Sequence, residues 1–310
     1  MGLAIRVVVD LILISLVILQ HKSNAQELIV KLKKTRLMKC RFDKIYQFGD
    51  SLSDTGNCIR ERTCGVHTGC GALPYGMNFY QNATGRCSDG MLMIDFIDCP
   101  KKLNKSLFLV GEIGGNELIY GLMQGKTIQE LRRMVPDVVQ TIIHGVKRVT
   151  SFGATRVIVP GNFPMGCHPI LLTKFMTDNS TAYDEYHCLK DLNNFVIFFN
   201  HHLQQAIDEL KKEYSNIILI YGDYYNAYMW LLQNALSLGF DKNSLQKACC
   251  GVGGNYNHDI HKNCGSPGVQ ACADANTYIS WDGVHLTQKA YKWLARWLID
   301  DMLPQLNCHV

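Results

Sequence analysis

Residues 45–57 read IYQFGDSLSDTGN. A short apolar run with strand propensity ends in Gly49, and Asp50, Ser51 and a helix-starting stretch follow it. Three further runs end in the same manner: residues 107–110 (LFLV) before Gly111, 156–159 (RVIV) before Pro160, and 216–221 (NIILIY) before Gly222. Continuous apolar runs of this length are typical of strands that are buried on both faces, as in a parallel sheet.

Helical patterns lie between these runs. Thr127 and Glu130 form a capping box before one helix, and Thr287 can cap the last one. Residues 189–210 place apolar side chains at alternating spacings of three and four, which gives one apolar face of a long helix. The alternation of strands and helices predicts an α/β fold, a three-layer α/β/α sandwich with a parallel sheet. In such folds the chemistry lies at the carboxyl ends of the strands.

Composition excludes several classes of protein. The chain has 310 residues, 47% of them hydrophobic and 19% charged, which excludes disordered and collagen-like chains. A formal charge of +4 is too even to indicate a nucleic-acid binder. The basic run at residues 31–41 is either a solvated arm or a polyanion site, and it lacks interleaved aromatic residues. There is no internal repeat and no linker, so we expect one domain over residues 26–310.

The N-terminus has the pattern of a secretory signal peptide, residues 1–25. Arg6 supplies the positive end, residues 11–19 (LILISLVIL) are apolar, and small residues up to Ala25 suit cleavage. A membrane-spanning helix needs about 20 apolar residues, so we expect no stable membrane insertion. The predicted location is secreted, either extracellular or vacuolar.

Cysteine usage agrees with export. All 13 cysteines follow Ala25, and the odd number leaves at least one without a partner in the chain. Cys249, Cys250, Cys264 and Cys272, with nearby histidines, fit either disulfides or a zinc site, and export favours disulfides. Three sequons are candidate glycosylation sites in a secreted chain: Asn82, Asn104 and Asn179.

Ser51 is the first candidate for chemistry. A hydroxyl at the point where a strand passes into a helix gains a backbone N–H and the positive end of that helix. The alternative is that Ser51 is only an N-cap. A serine nucleophile needs a base, and residues 281–285 (WDGVH) supply Asp282 and His285 before the final helix. The carboxylate can orient the imidazole, which can then take the proton of the serine.

Asn116 is the second candidate. It follows a strand in residues 110–117 (VGEIGGNE), where glycines let the backbone approach closely. Its amide can donate a hydrogen bond to a developing oxyanion. The alternative is a turn in which the asparagine adopts a left-handed conformation.

Together these segments resemble the plant secreted branch of the GDSL esterase/lipase family, the SGNH hydrolases. Within that branch they look closest to acetylajmalan esterase-like and sinapine esterase-like members. The resemblance runs from Cys40 to Cys308 and rests on residues 46–51 (YQFGDS), 84–90 (TGRCSDG), 107–116 (LFLVGEIGGN), 159–164 (VPGNFP), 221–225 (YGDYY) and 281–285 (WDGVH).

The resemblance implies a flavodoxin-like fold and a carboxylic ester hydrolase that works through an acyl-serine. It makes Ser51 the nucleophile, His285 the base and then the acid, and Asp282 the residue that orients it. Asn116 and the Ser51 N–H would donate to the oxyanion. No cofactor and no metal are implied. The implied partner is a small-molecule ester, and no nucleic-acid partner is implied. The resemblance leaves the oligomeric state open.

One departure from the family concerns its second conserved block. That block carries a sheet strand and a glycine that donates to the oxyanion, and here residues 98–102 (DCPKK) join its two sides directly. Gly90 is not assigned as a substitute. We therefore expect one strand fewer than usual. The alternative function is a weakly active or non-catalytic truncated form, a secreted glycoprotein that lacks the glycine donor.

The remaining expectations concern residues around the site. Four residues are candidate substrate contacts: Tyr75, Phe79, Phe163 and Met165. Six histidines have no carboxylate at triad spacing and are predicted to be surface or packing residues: His67, His144, His168, His187, His201 and His202.

Overall fold

A four-stranded parallel sheet forms the centre of the molecule. The computed structural model describes residues 42, 44–61, 68–79, 81–97 and 106–306. The predicted signal peptide and Asn104 lie outside this range. The strands follow the order β1-β2-β3-β4 across the sheet: β1 (Lys44–Phe48), β2 (Ser106–Val110), β3 (Arg156–Pro160) and β4 (Ile218–Gly222). All four predicted strands are confirmed.

Helices cover both faces of the sheet, as the three-layer prediction requires. The α-helices are α1 (Gly115–Met123), α2 (Ile128–Ser151), α3 (Pro169–Lys174), α4 (Lys190–Glu213), α5 (Tyr224–Asn234) and α6 (Gln288–Met302). Short 3-10 turns are Cys58–Arg60, Gly69–Gly71, Met93–Phe96, Met165–Cys167, Ser180–Ala182, Lys242–Ser244, Ala275–Thr277 and Leu303–Leu306. Helices α5 and α6 pack on one face, and α1, α2 and α4 pack on the other.

The alternation of side chains along each strand explains the two cores. Leu107 and Leu109 of β2 join the core beneath α5 and α6, whereas Val110 joins the core beneath α2 and α4. Successive strand side chains point to opposite faces, so one apolar run supplies both cores. The predicted helix caps are also present, since Thr127 accepts from the Glu130 N–H and Thr287 accepts from the Ala290 N–H.

Strand β1 departs from the expectation of burial on both faces. It pairs through five residues with β2 and has no other strand beside it among the described residues. Its side chains alternate between exposed and half-buried, with Tyr46 at 37% and Phe48 at 48% exposure. The prediction is wrong for this strand because burial depends on its position at the edge of the sheet, which an apolar run does not reveal.

Between cysteines that both lie in the described residues, four disulfides hold the loops around the carboxyl edge of the sheet. They join Cys70 to Cys87, Cys167 to Cys188, Cys249 to Cys272, and Cys250 to Cys264. The last two flank a small antiparallel pair, β5 (Cys250–Gly251) and β6 (Gln270–Ala271). The cysteines that fitted either bridges or zinc therefore form bridges.

The helices also bear on membrane insertion. Within the described ranges, none combines the length and apolarity needed to cross a bilayer.

Candidate active site

Ser51, His285 and Asp282 form a hydrogen-bonded chain at the carboxyl edge of the sheet. Ser51 follows β1, and the other two lie on the loop before α6, so the serine and the histidine are 234 residues apart in sequence. His285 Nε2 lies 2.7 Å from Ser51 Oγ, and His285 Nδ1 lies 2.6 Å from Asp282 Oδ2. The structure thus brings together the three residues that the sequence pattern singled out.

Asp282 is held as a carboxylate by the donors around it. Its Oδ1 accepts from the backbone N–H groups of Val284 at 3.0 Å and His285 at 2.8 Å, and its Oδ2 accepts from the Tyr75 hydroxyl at 2.8 Å. Burial alone would raise the pKa of Asp282. The His285 charge and these backbone hydrogen bonds outweigh burial and hold the pKa well below its usual range. The carboxylate is therefore ionised wherever His285 works as a base.

His285 is tuned in the opposite direction. Burial lowers the pKa of the imidazole, and the charge and hydrogen bond of Asp282 outweigh burial, so the pKa is raised above its ordinary value. A carboxylate at Nδ1 makes that nitrogen the donor and leaves Nε2 as the acceptor that faces Ser51. This arrangement makes His285 a base that can take the serine proton and hold it.

The loop that carries Ser51 differs from the predicted helix start. Residues 51–57 form turns, in which Asp50 Oδ1 accepts from the Leu52 N–H at 3.0 Å and the Asp54 carboxylate accepts from the backbone of residues 56–58. Ser51 is not an N-cap here. The acidic side chains satisfy the backbone donors that a helix would use, and this local competition explains the difference.

Asn116 lies in the first turn of α1 and lines the same cleft as Ser51. Its Nδ2 lies 3.3 Å from Asp50 Oδ2, so its amide points toward the serine loop. Burial raises the pKa of Asp50 above its ordinary value. Asn116 is therefore placed beside Ser51, and it lies in a helix, contrary to the alternative of a left-handed turn. Gly90 packs against Gln288 and is not among the residues that line the cleft.

A second buried carboxyl lies beneath the serine loop. Glu112, two residues after the end of β2, is 5% exposed, and its Oε2 accepts a hydrogen bond of 3.1 Å from the Ser53 hydroxyl. Burial raises the pKa of Glu112 well above its ordinary value, and the nearby Asp50 charge adds to the effect. Burial and the Asp50 charge thus both favour the protonated form of the carboxyl beneath the loop.

The cleft beside Ser51 is small, and both polar and apolar residues line it. Its lining residues are Asp50, Ser51, Leu52, Gly115, Asn116, Ile119, Asn162, Phe163, Met165, His168 and Val284. Of the candidate substrate contacts, Phe163 and Met165 line it. The Phe79 ring instead stacks beneath the Arg86 guanidinium at 5.0 Å and is not among the lining residues.

Two residues at the site have roles that the sequence did not indicate. Tyr75, predicted to contact substrate, is buried and binds Asp282. His168, predicted to be a surface or packing residue, is buried and lines the cleft. Both reach the site from loops distant in sequence, and no local spacing marks them.

Comparisons with known proteins assign the chain to a family. The model of the GDSL-like lipase/acylhydrolase family matches residues 45–298. A GDSL esterase/lipase of Arabidopsis thaliana is 40% identical over 303 residues, which covers 87% of this chain and 92% of that protein. Acetylajmalan esterase 2 of Rauvolfia serpentina is 35% identical over 344 residues, which covers 88% of this chain and 93% of the esterase.

The length of this last alignment bears on the expected missing block. It spans 344 positions, whereas the chain has 310 residues, so the esterase carries residues with no counterpart here. The match to the family model nevertheless includes Ser51, Asn116, Asp282 and His285, and it covers most of the chain. The chain belongs to the GDSL lipase/acylhydrolase family of serine ester hydrolases.

Proposed function

We propose that this protein is a secreted carboxylic ester hydrolase that works through an acyl-serine intermediate on Ser51. The observation that carries the proposal is the 2.7 Å separation of Ser51 Oγ and His285 Nε2. A serine hydroxyl is a weak nucleophile unless an adjacent base removes its proton. His285 is that base, and Asp282 orients it and stabilises its charged form.

The reaction has two steps. Ser51 Oγ attacks the ester carbonyl while His285 takes its proton, and the oxyanion receives hydrogen bonds from Asn116 Nδ2 and the Ser51 N–H. The bond to the alcohol breaks as His285 returns the proton to the leaving oxygen. Water then attacks the acyl-serine, His285 takes one of its protons, and the acid leaves as Ser51 regains a proton.

The size of the cleft favours a small ester. Phe163 and Met165 lie in its walls and limit the space beside Ser51. Relatives named acetylajmalan esterase carry an acetyl ester in their name, which agrees with a short acyl group. We therefore place the substrate among small or specialised-metabolite esters.

Secretion agrees with the disulfides, because such bridges persist in oxidising compartments. The sequon residues Asn82 and Asn179 are exposed, as a glycan requires, and Asn104 lies outside the described residues. Mass spectrometry of the natural product before and after glycosidase treatment tests both points. We expect a chain that begins after Ala25 and carries glycans.

Hydrolysis of p-nitrophenyl acetate tests the catalytic proposal. We expect turnover by the wild type, loss of nearly all of it in Ser51→Ala, and full retention in Ser237→Ala. Ser237 is exposed and its hydroxyl donates to the Asn234 carbonyl, away from the cleft residues, so it is a matched serine control. Equal rates in the wild type and Ser51→Ala would contradict the proposal.

The alternative is a weakly active or non-catalytic form. It is favoured by the long alignment with acetylajmalan esterase 2 and by the exposed edge of β1. Loss of one oxyanion donor typically lowers kcat by about 10²–10³. A Ser51-dependent rate that is lower than that of acetylajmalan esterase 2 by this factor would support the weak form. Absence of any Ser51-dependent rate would support the non-catalytic one.

A further inference from the structure

His168 is a buried polar residue in the wall of the active-site cleft. It lies between the 3-10 turn Met165–Cys167 and helix α3, and only 6% of it is exposed. Neither of its ring nitrogens has a hydrogen-bond partner among the residues that the structure describes. Buried polar groups in proteins are nearly always paired, so an unpaired ring in the wall of a ligand cleft points to a ligand as its partner.

The surroundings of the ring set its chemical state. Burial lowers the pKa of His168 to about 4, and the nearby His285 charge acts in the same direction. At neutral pH the ring is therefore uncharged and offers one N–H donor and one nitrogen acceptor. The Tyr228 ring lies 6.0 Å away at a tilt and provides apolar packing.

A second unpaired group lies in the same wall. Asn162 is 7% exposed, and its Nδ2 has no partner within the described part of the chain. Its backbone is fixed by Asn200, whose side chain accepts from the Asn162 N–H at 2.8 Å and donates to the Asn162 carbonyl at 3.0 Å. The cleft wall thus presents two buried side chains with unused hydrogen-bonding capacity, one of them on a backbone that Asn200 holds in place.

The position of His168 indicates which part of an ester it would meet. The Ile170 N–H donates to the Gly283 carbonyl at 3.1 Å, which joins the start of α3 to the loop that carries His285. In the proposed function, His285 gives its proton to the departing alcohol, so the alcohol part of the ester lies on the His285 side. His168 belongs to this side of the cleft.

We propose that His168 determines specificity by binding a hydroxyl on the alcohol part of the ester, with Asn162 Nδ2 as an additional donor. A hydroxyl both donates and accepts, so it pairs with whichever nitrogen of the neutral imidazole it faces, and two hydroxyls can pair with both, whereas an alkyl group pairs with neither. The substrate class is therefore esters of polyhydroxylated alcohols. This inference rests on the proposed function and names the substrate for the same site.

Two esters of equal size test the proposal. Propyl butyrate and 2-hydroxyethyl butyrate share one acid and differ only in a terminal methyl or hydroxyl on the alcohol. We expect the wild type to favour the hydroxyethyl ester at least tenfold in kcat/KM, because the propyl ester leaves the buried groups unpaired. His168→Leu should bring the ratio close to one, and His168→Gln, which keeps a donor and an acceptor, should restore part of it.

The controls separate the possible failures. His144→Leu removes an exposed histidine on α2 and should keep the wild-type ratio. His168→Leu should also raise the thermal unfolding midpoint, because it removes unpaired buried nitrogens, and this result does not depend on activity. A wild type that hydrolyses p-nitrophenyl acetate yet shows no preference, or a preference that survives in His168→Leu, would overturn the inference. Lack of hydrolysis of all three esters would instead overturn the proposed function.

Discussion

The hydroxyl of Tyr75 donates a hydrogen bond of 2.8 Å to Asp282 Oδ2, the oxygen that also lies 2.6 Å from the His285 ring. Tyr75 is 5% exposed, and its ring contacts Trp281 edge-on at 6.1 Å, so packing holds the phenol in place. One carboxylate oxygen thus serves two donors. The tyrosine takes up part of the negative charge that would otherwise stabilise protonated His285.

Tyr75→Phe is therefore expected to raise the pKa of His285. The acid limb of kcat/KM should move to higher pH, because His285 must lose its proton before it can act as a base. Loss of a hydrogen bond to a charged group should also lower the free energy of unfolding by about 1.5–3 kcal/mol. Tyr120→Phe alters a phenol that is 63% exposed and should change neither quantity. An acid limb that stays in place or moves to lower pH would refute this role of Tyr75.

The acid limb of the wild type should itself lie above pH 6.5, the ordinary pKa of histidine, because Asp282 raises the pKa of His285. Below that pKa the ring is protonated and activity falls. In Asp282→Asn, burial becomes the main influence on the pKa of His285 and lowers it. The acid limb should therefore move to lower pH, while kcat falls on the order of 10⁴-fold. The pH dependence of kcat/KM for both proteins checks this prediction. A limb below pH 6.5 in the wild type would count against it.

Glu112→Gln should stabilise the protein at neutral pH and above. The folded-state pKa of Glu112 is raised above its ordinary value of 4.5, so the carboxyl stays protonated in the folded chain and ionises on unfolding. Stability therefore falls as the pH rises from 4.5 toward the folded-state pKa. Glutamine does not ionise, so it removes this pH-dependent loss of stability. Urea unfolding at pH 5 and pH 8 should show an advantage of the variant that grows with pH, and a constant difference would argue against a raised pKa.

The Cys167–Cys188 disulfide fixes the wall of the cleft. It joins the turn that carries Met165 to the start of α4, and the two cysteines are 21 residues apart. In the chain-entropy account, closing a loop of this size lowers the entropy of the unfolded chain and stabilises the folded protein by about 3 kcal/mol. The double variant Cys167→Ala/Cys188→Ala should lose about that much in the free energy of unfolding, measured without reductant. An unchanged free energy of unfolding would mean that the bridge constrains neither the folded nor the unfolded chain.

Much of the sheet was predictable from sequence because parallel strands need apolar residues on both faces. Residues 107–110 and 156–159 satisfy that pattern, and their strands lie inside the sheet. The exposure of Tyr46 and Phe48 was not predictable, because it depends on which strands neighbour β1. The order of the strands across a sheet depends on the whole chain and cannot be read from one apolar run.

Some residues of the site could also be predicted from the sequence, and others could not. Ser51 and His285 stand in short motifs whose residue types carry their chemistry, so both could be identified although 234 residues separate them. Tyr75 reaches Asp282 across 207 residues from a loop with no such motif. His168 gains its interest from burial and from its lack of a partner in the described chain, and these are features of packing.

The central claim is that His285 activates Ser51, and covalent labelling tests it most directly. A fluorophosphonate reacts with a serine that an adjacent base has activated, and mass spectrometry locates the adduct. We predict one adduct per chain, on the peptide that contains Ser51, absent in Ser51→Ala and formed far more slowly in His285→Ala. An adduct on a different serine, or equal labelling of the wild type and His285→Ala, would contradict the account.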